Sequence, residues 1–500
     1  MKITGQNLVA GQWLGNSNHD CFSAYLPATD SYDDTAFCIA TNDELDMAVS
    51  AAKTAFVVYR KKRQHEKAEF LRTIANEVAK QEALLLATTA RETVYNRVRL
   101  QGEFARTLNQ LRLFAEALET GGIEDIVEQA DANRRPVAKP ATRLTHIPLG
   151  TVAVFGASNF PYAFSTLGGD TVSALAAGCP VVVKAHPAHP ITCEIMARAI
   201  SKAIDTCNMP VGVFSQLHSP TPALSHELVV HPDIKAVGFT GSLKVAQLLQ
   251  QTIAQREHPI PFYGELGSTN PQFILPEKAR EAGSELAEQL CDSLLLGHGQ
   301  FSTSPGIWFV PVKAIEFLAS AKEYLANKPA HPMLSKGIAQ SYEEDINAIG
   351  LNSTLTRWAS GDKKESHFTE ATLFITNMAS FLNNKQLHKE VFGPCAIIVT
   401  YEQSEELEAY VETMDGQLTA CVHGSKADLY EHADLSESLS YKVGRLIYNQ
   451  MPTGVEICAS MNHGGPFPAS TDVRSTSVGQ QALRRFLRPL CVQNQPVESV

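Results

Sequence analysis

The stretch TVAVFGASNFPYAFSTLGGDTVSALAAGCPVVVKA, residues 151–185, decides the fold class of this chain. It predicts two short apolar strands, at 151–156 and 180–185, on either side of a helix around STLGGDTVSALAAG. Apolar strands separated by helices are the pattern of a parallel, doubly wound sheet. Because such sheets bind ligands beyond the carboxyl ends of their strands, the turns that follow these strands are the first places to look for a site.

The same alternation continues along the chain in both directions. Residues 64–120 are predicted to be helical, with one apolar stripe that includes Phe70, Leu71 and Ile74. Strands are predicted at 213–218 and 234–241, with helices between and after them. A second alternation begins after about residue 264, and its elements are a helix at 279–296, the strand GIWFVPV, and strands at 371–376, 395–401, 417–423 and 443–449.

Length and composition narrow the class of protein. Five hundred residues are too many for one core, so two or more domains are expected. The net charge of −11 and the absence of a dense Lys/Arg tract argue against a nucleic-acid or anionic-membrane partner. We see neither a signal peptide nor an apolar run of bilayer length. The ten cysteines form no CxxC pairs, so neither a metal site nor a disulfide framework is expected, and a cytoplasmic location is predicted.

Two segments are predicted to lie outside the main sheets. The stretch RRPVAKPATRLTHIPLG, 134–150, is basic, contains three prolines and alternates, which predicts an exposed two-stranded excursion. The tail RRFLRPLCVQ, 484–493, is predicted to add an edge strand.

Two motifs of the first alternation could hold a phosphorylated ligand. GFTGS, 238–242, joins a strand to a helix, where Gly238, Gly241 and Ser242 could let backbone N–H groups approach phosphate. The alternative is an ordinary glycine turn, since the GxGxxG fingerprint is absent. VVVKAHP places Lys184 beside His186 at a strand end, where a cation could bind ribose or phosphate or could simply be solvated.

Three further motifs offer a carboxylate or an amide. In KEVFGP, Glu390 could accept from ribose hydroxyls and Phe392 could pack on a nicotinamide or ribose. Asn159 in GASNFP could donate to a developing oxyanion or make only local turn bonds. Glu265 in FYGELGSTNP has apolar and glycine neighbours, and burial would raise its pKa toward neutrality, as suits a general base.

Taken in order, SNFP, Lys184, FTGS, ELG, the loop GHGQFSTSPG (297–306) and EVFGP resemble the aldehyde dehydrogenase superfamily over nearly the whole chain. The stretches GELGSTNP and PTGVEICASMNHGGPFPASTD are similar to the branch with NADP-dependent α-ketoglutaric semialdehyde (2,5-dioxopentanoate) and fatty-aldehyde dehydrogenases. The resemblance implies a Rossmann-like cofactor domain (1–133 and 151–263), an α/β catalytic domain (264–475) and oligomerisation segments (134–150 and 476–500).

The same resemblance implies roles for the residues. Asn159 would be the oxyanion donor and Glu265 the base. The cofactor would be held by Lys184, His186, Gly238, Gly241, Ser242, Glu390 and Phe392. A homodimer or a dimer of dimers is expected, with a small aldehyde as substrate.

The loop at 297–306 departs from the family pattern at one atom. The family reads G-Q-x-C-T there, whereas this chain has Ser302 at the position of the catalytic cysteine. An alcohol is roughly five pKa units less acidic than a thiol, which costs roughly 7 kcal/mol of nucleophile activation. Neither His298 nor His463 has an evident triad setting in the sequence. Ser302 is therefore expected to abolish or cripple turnover, either as a substitution made in a working enzyme or as a natural change.

The cofactor motif departs as well. NAD-preferring relatives usually read K-P-x-E, but this chain reads Lys184-Ala185-His186-Pro187, with no carboxylate to repel a 2′-phosphate. The segment 219–231 lacks the Arg that some NADP-using relatives supply, and we expect NADP with NAD possible. The region ETVYN, 92–96, replaces a common ETGLP-like stretch, so the sequence does not decide which aldehyde is the substrate.

The sequence thus predicts NADP-dependent oxidation of an aldehyde, with 2,5-dioxopentanoate first and fatty aldehydes second. A catalytically silent dinucleotide-binding scaffold is the non-enzymatic alternative. An esterase-like activity that uses Ser302 is the third hypothesis.

Overall fold

A computed structural model describes residues 2–15, 20–121, 124–362 and 365–496 of the chain. The end of the predicted C-terminal oligomerisation segment, 497–500, lies outside the described residues.

The strands of the described residues are, in chain order, β1 (Asn7–Val9), β2 (Gln12–Leu14), β3 (Cys21–Leu26), β4 (Ser31–Cys38), β5 (Ile126–Glu128), β6 (Thr142–Pro148), β7 (Thr151–Phe155), β8 (Val181–Ala185), β9 (Phe214–His218), β10 (Ile234–Thr240), β11 (Phe262–Glu265), β12 (Gln272–Ile274), β13 (Ile307–Pro311), β14 (Thr356–Ser360), β15 (Thr372–Asn377), β16 (Cys395–Tyr401), β17 (Gln417–His423), β18 (Val443–Tyr448) and β19 (Leu487–Gln493).

The α-helices are α1 (Asn42–Tyr59), α2 (Gln64–Ala79), α3 (Glu82–Thr93), α4 (Arg97–Glu119), α5 (Gly169–Ala177), α6 (Pro190–Thr206), α7 (Ala223–Val230), α8 (Leu243–Ala254), α9 (Pro276–Leu295), α10 (Ile315–Ala326), α11 (Lys336–Gly350), α12 (Met378–Leu382), α13 (Glu405–Thr413), α14 (Lys426–Glu431) and α15 (Ala433–Ser440). Short 3₁₀ helices occupy Val211–Val213, Leu296–Gly299, Lys385–His388 and Gln480–Phe486. No helix in the described ranges combines the length and the apolar character that a membrane crossing requires.

The first sheet has the strand order β11-β10-β7-β8-β9-β1-β2. The strands from β11 to β9 are parallel, whereas β1 and β2 are antiparallel additions from the N-terminal region that the sequence analysis did not predict. Side chains alternate between two cores: Val152 and Val154 belong to one, and Ala153 and Phe155 to the other. Because successive residues of a strand face opposite sides, both faces of the sheet are covered. The prediction of a doubly wound α/β sheet is confirmed.

The second sheet has the order β14-β15-β16-β13-β12-β17-β18 and is parallel except for β14. It too has an apolar core on each face. The chain passes from the first sheet to the second between β11, which ends at Glu265, and β12, which begins at Gln272. The loop that leads into β13 is tied to this passage, because the Gly306 N–H donates to the Thr269 carbonyl at 2.8 Å.

A third sheet has the order β19-β6-β5 and is antiparallel. The prediction that 134–150 contains both strands of an excursion is wrong, because the first strand is β5, at Ile126–Glu128. Pro136 and Pro140 lack the backbone N–H that a ladder needs, which is the reason the stretch before β6 is not a strand. The predicted C-terminal edge strand is present and pairs with β6 over Leu487–Gln493.

Candidate active site

Two cavities meet at Ser302. The larger has a volume of about 890 Å³ and the smaller about 520 Å³. Both are lined by Asn159, Thr240, Glu265 and Ser302. The structure therefore brings together the three side chains that the sequence analysis proposed for chemistry, at the one place that both cavities reach.

The loop that carries Ser302 has a constrained backbone. Gly297, His298 and Gly299 all have left-handed φ values, of 58°, 54° and 68°. A Cβ at Gly299 would lie 2.2 Å from the carbonyl carbon of Gly393, so only glycine fits there. Asn270 holds the other side of the loop, since its Nδ2 donates to the carbonyl oxygens of Ser302 and Ser304 at 2.8 and 2.9 Å. The Ser302 side chain is thus presented from a fixed loop.

Glu265 ends β11 and accepts three hydrogen bonds. His463 Nε2 lies 2.7 Å from Oε1, Ser302 Oγ donates to the same oxygen at 3.2 Å, and Ser477 Oγ donates to Oε2. Burial alone would raise the pKa of Glu265, but the charge and hydrogen bonds of His463, with the two serine donors, lower it. The sequence-based prediction of a raised pKa is wrong, because the sequence neighbours of Glu265 are apolar or glycine whereas its hydrogen-bond donors are distant in sequence.

His463 and Ser477 come from the C-terminal part of the chain and are both buried. The Ser477 N–H donates to the His463 carbonyl at 2.8 Å, so the two residues form one unit against Glu265. His463 Nδ1 is buried without a hydrogen-bond partner in the described part of the chain. No triad setting for His463 is evident in the sequence, and the structure gives it Glu265 as partner, some two hundred residues away, where spacing carries no signal.

Asn159 and His298, the other two residues considered for chemistry, differ in whether they can act on a ligand. Asn159 Nδ2 donates to the Gln300 carbonyl at 3.0 Å, which uses one of its two amide hydrogens. His298 bonds Thr369 at 2.9 Å, and burial, with His331 beside it, lowers its pKa to about 3. Asn159 is therefore able to donate to a ligand, whereas His298 is a neutral structural residue.

The smaller cavity lies at the carboxyl ends of the first sheet's strands. Its wall includes six of the seven predicted cofactor residues, namely Lys184, His186, Gly241, Ser242, Glu390 and Phe392. Gly238 is the exception: a Cβ there would lie 2.9 Å from the Asp170 side chain, so this glycine allows packing inside β10 rather than access from the cavity.

Several groups of this wall are suited to a dinucleotide. Lys184 has no ion-pair partner in the described ranges, and burial lowers its pKa to about 8. Thr240 Oγ1 is buried without a partner there. Ser242 caps α8 by accepting from the Val245 N–H, and the first N–H groups of a helix favour anions. The Gly241 N–H, however, donates to the Glu265 carbonyl at 3.1 Å and is not free for phosphate.

A carboxyl group stands on the opposite wall. Burial raises the pKa of Glu390 to about 8, with a backbone hydrogen bond from Ser268 acting in the other direction. Glu390 is half-buried and has no ion pair among the described residues, and such a carboxyl is suited to accept or donate hydrogen bonds with ribose hydroxyls. The residues present thus fit a dinucleotide with a cation, a helix N-terminus and a carboxyl group along one cleft.

The larger cavity has a wall of aromatic and charged side chains. Phe160, Phe164 and Phe301 line it, as do three arginines and three glutamates, namely Arg99, Arg106, Arg445, Glu103, Glu265 and Glu456. Arg99 stacks on Tyr95, with its guanidinium carbon 3.3 Å from the ring centre, and donates to the Asn159 carbonyl at 2.7 Å. The region 92–96, which the sequence analysis associated with the substrate, thus acts through Tyr95 by supporting a residue of the cavity wall.

Comparison with known proteins identifies relatives along the whole chain. The model of the "Aldehyde dehydrogenase family" matches residues 13–488. "Alpha-ketoglutaric semialdehyde dehydrogenase 2" of Azospirillum brasilense is 39% identical over 505 residues, which cover 99% of this chain and 95% of that protein. "Alpha-ketoglutaric semialdehyde dehydrogenase" of Acinetobacter baylyi is 40% identical and covers 92% and 88% of the two chains.

Solved structures of lower identity share the fold. Aldehyde dehydrogenase 21 of Physcomitrella patens, in complex with succinate, has a TM-score of 0.83 at 18% identity and covers 100% of both chains. A 3,6-anhydro-L-galactose dehydrogenase in complex with NAP has a TM-score of 0.82 at 20% identity and covers 98% of this chain and 99% of that one.

Proposed function

The chain belongs to the aldehyde dehydrogenase family, and we propose that its site is built to oxidise 2,5-dioxopentanoate to 2-oxoglutarate with NADP, at a rate that Ser302 severely limits. One observation carries this proposal. Ser302 lies where a cavity suited to a dinucleotide meets a second cavity with charged side chains in its wall, and Glu265 and Asn159 border both.

The choice of NADP rests on charge. Lys184 and the N-terminus of α8 favour anionic groups, and His186 is kept neutral because burial and the neighbouring His189 lower its pKa. The side chain that α7 contributes to the cavity wall is Ser225, which is uncharged. An additional phosphate on the ribose would therefore meet no carboxylate from β8 or α7.

The choice of substrate rests on the relatives and on the larger cavity. Two relatives at 39% and 40% identity are named for α-ketoglutaric semialdehyde. A cavity wall with six charged side chains, three arginines and three glutamates, suits an aldehyde with a charged group better than it suits a long alkyl chain, and the arginines are the groups that could bind a carboxylate. This favours the 2-oxo acid semialdehyde over a fatty aldehyde.

The residues of the site divide the chemistry among them. The side chain at position 302 would attack the aldehyde carbon, and the amide of Asn159 would donate to the oxygen that gains negative charge. NADP, when bound, would supply a hydride acceptor. Glu265, ionised at neutral pH because its pKa is lowered, would then take a proton from the water that hydrolyses the acyl group.

The nucleophile limits this arrangement, because Ser302 is an alcohol rather than a thiol. Its hydroxyl donates to Glu265 rather than to a histidine. A thiol is partly ionised near neutral pH without help, whereas the Ser302 hydroxyl keeps its proton, so its attack would need proton transfer to a carboxylate whose pKa is lowered. The chain is therefore proposed to bind cofactor and substrate and to turn over slowly.

Restoring sulfur tests the proposal. The variant Ser302→Cys should reduce NADP with 2,5-dioxopentanoate, while the unsubstituted chain should be nearly silent. If neither protein reduces NADP while calorimetry shows that both still bind it, a dinucleotide-binding scaffold would be favoured. A burst of nitrophenol from an acyl ester with the unsubstituted chain would favour the esterase alternative, and tighter binding of NAD than of NADP would overturn the cofactor assignment.

A further inference from the structure

One edge of a guanidinium in the larger cavity has no hydrogen-bond acceptor within the part of the chain that the structure describes. Arg106 lies on α4, and its Nε and Nη2 atoms are buried without a hydrogen-bond partner among the described residues. Its guanidinium carbon lies 5.3 Å from the centre of the Phe164 ring, which in turn lies 6.2 Å from the centre of the His463 ring. Arg106 is thus one aromatic ring away from the pair of His463 and Glu265.

The carboxylates near Arg106 do not neutralise it by contact. Glu103 Oε1 accepts from the backbone N–H groups of Tyr162 and Ala163 at 2.8 and 3.0 Å. Glu456 accepts from the N–H of the following residue at 2.9 Å. Both act on Arg106 only through space, as Glu265 does, and Arg445 opposes them. A buried charge without a contacting partner is costly, so this part of the cavity is better suited to an anionic ligand.

The other two arginines of the cavity are partly occupied: each donates to protein carbonyls, and each has one buried guanidinium nitrogen without a partner among the described residues, Nη1 of Arg99 and Nε of Arg445. Arg99 Nη2 donates to the Asn159 carbonyl. Arg445 Nη1 and Nη2 donate to the carbonyl oxygens of Gly454 and Pro452 at 2.9 and 2.7 Å. Arg106 differs from them because both nitrogens of one edge, Nε and Nη2, are buried without a partner in the described part of the chain.

That open edge has the right shape for a carboxylate. Nε and Nη2 lie on the same side of a guanidinium, and two parallel N–H groups on one side match the two oxygens of a carboxylate. We propose that Arg106 holds the carboxylate of the substrate through Nε and Nη2 and so selects semialdehydes of acids over neutral aldehydes. The identity of the preferred acid rests on the proposed function.

Binding of the product tests this without turnover. In calorimetry with 2-oxoglutarate, Arg106→Gln should raise the Kd by roughly 10- to 100-fold, as expected for lost hydrogen bonds to a charged group. Arg112→Gln, an exposed arginine on the same helix, is the matched control and should leave the Kd unchanged. A thermal scan shows whether each variant is folded. If Arg106→Gln does not fold, Arg106→Lys serves in its place, because it keeps the charge but not the fork.

A kinetic comparison separates this inference from the proposed function. In the Ser302→Cys background, Arg106→Gln should raise KM for 2,5-dioxopentanoate and leave KM for pentanal unchanged. The role of Arg106 would be overturned if the unsubstituted chain does not bind 2-oxoglutarate or if Arg106→Gln leaves its Kd unchanged. It would also be overturned if Arg106→Gln raises KM equally for both aldehydes. Failure of Ser302→Cys to oxidise either aldehyde would contradict the proposed function, while the calorimetric result would still decide the role of Arg106.

Discussion

His463 Nε2 lies 2.7 Å from Oε1 of Glu265, and both side chains are buried. The same carboxylate oxygen accepts the Ser302 hydroxyl. A histidine from the C-terminal part of the chain therefore sets the charge and the hydrogen bonding of the carboxylate proposed as the base. We propose that these three side chains act together, with His463 acting on the reaction through Glu265.

Removing His463 should shift the pH dependence of turnover. His463→Phe, in the Ser302→Cys background, keeps a ring of similar size and removes the partner that lowers the pKa of Glu265. Because burial then dominates, the pKa of Glu265 should rise, and its active, ionised form should be lost at a higher pH. The acidic limb of the kcat profile should move to higher pH while NADP still binds. A limb that does not move would show that Glu265 does not depend on His463.

Binding of NADP should weaken as pH rises through about 8. Burial lowers the pKa of Lys184 to about 8, so its ammonium loses its proton, and its attraction for phosphate, over this range. Burial raises the pKa of Glu390 to about 8, so its carboxyl gains negative charge over the same range. Calorimetric Kd values at about pH 7 and about pH 9 measure the combined effect.

Single variants assign that effect to its source. Lys184→Met should bind NADP more weakly at neutral pH and lose most of the pH dependence. Glu390→Gln should keep the fraction of the pH dependence of NADP binding that comes from the ammonium of Lys184. A pH dependence that survives in Lys184→Met at full size would mean that the ammonium of Lys184 does not contact the cofactor.

The third sheet leads to a prediction about assembly. β5 lies at its edge, and Ile126 and Val127 on that strand are 60% and 58% exposed. Exposed apolar edge strands are usually covered, and we expect a homodimer or a dimer of dimers. Light scattering should give such a mass for the unsubstituted chain and a lower mass for Val127→Lys. Val211→Lys, at an exposed valine elsewhere, is the control and should leave the mass unchanged. A monomeric unsubstituted chain at micromolar concentration would contradict this prediction.

Most of the fold could be predicted because its signals are local. The strands β7 to β10 and β15 to β18 are short apolar runs bounded by turns or helices, and each lies within one or two residues of its predicted position. β5 was missed because three residues carry too little pattern, and its partner β6 is identified only once β19 is known to pair with it.

The site could be predicted only in part. Asn159, Glu265 and Ser302 stand in motifs that can be read in sequence, and the structure brings them together. The low pKa of Glu265 could not be predicted, since it depends on His463 and Ser477, which approach only in three dimensions. Arg106 gave no signal either, because what distinguishes it is that its buried Nε and Nη2 have no hydrogen-bond partner among the residues that the structure describes.

We propose that position 302 carries the acyl group formed from this aldehyde and that Glu265 releases it. The double variant Ser302→Cys and Glu265→Gln keeps the nucleophile and removes the base, so hydride transfer should proceed while hydrolysis of the acyl group stalls. Rapid mixing with 2,5-dioxopentanoate and NADP should give a burst of NADPH near one per site. The mass of the peptide that contains residue 302 should rise by one acyl group. A variant that binds NADP but gives neither the burst nor the acylated peptide would contradict the claim.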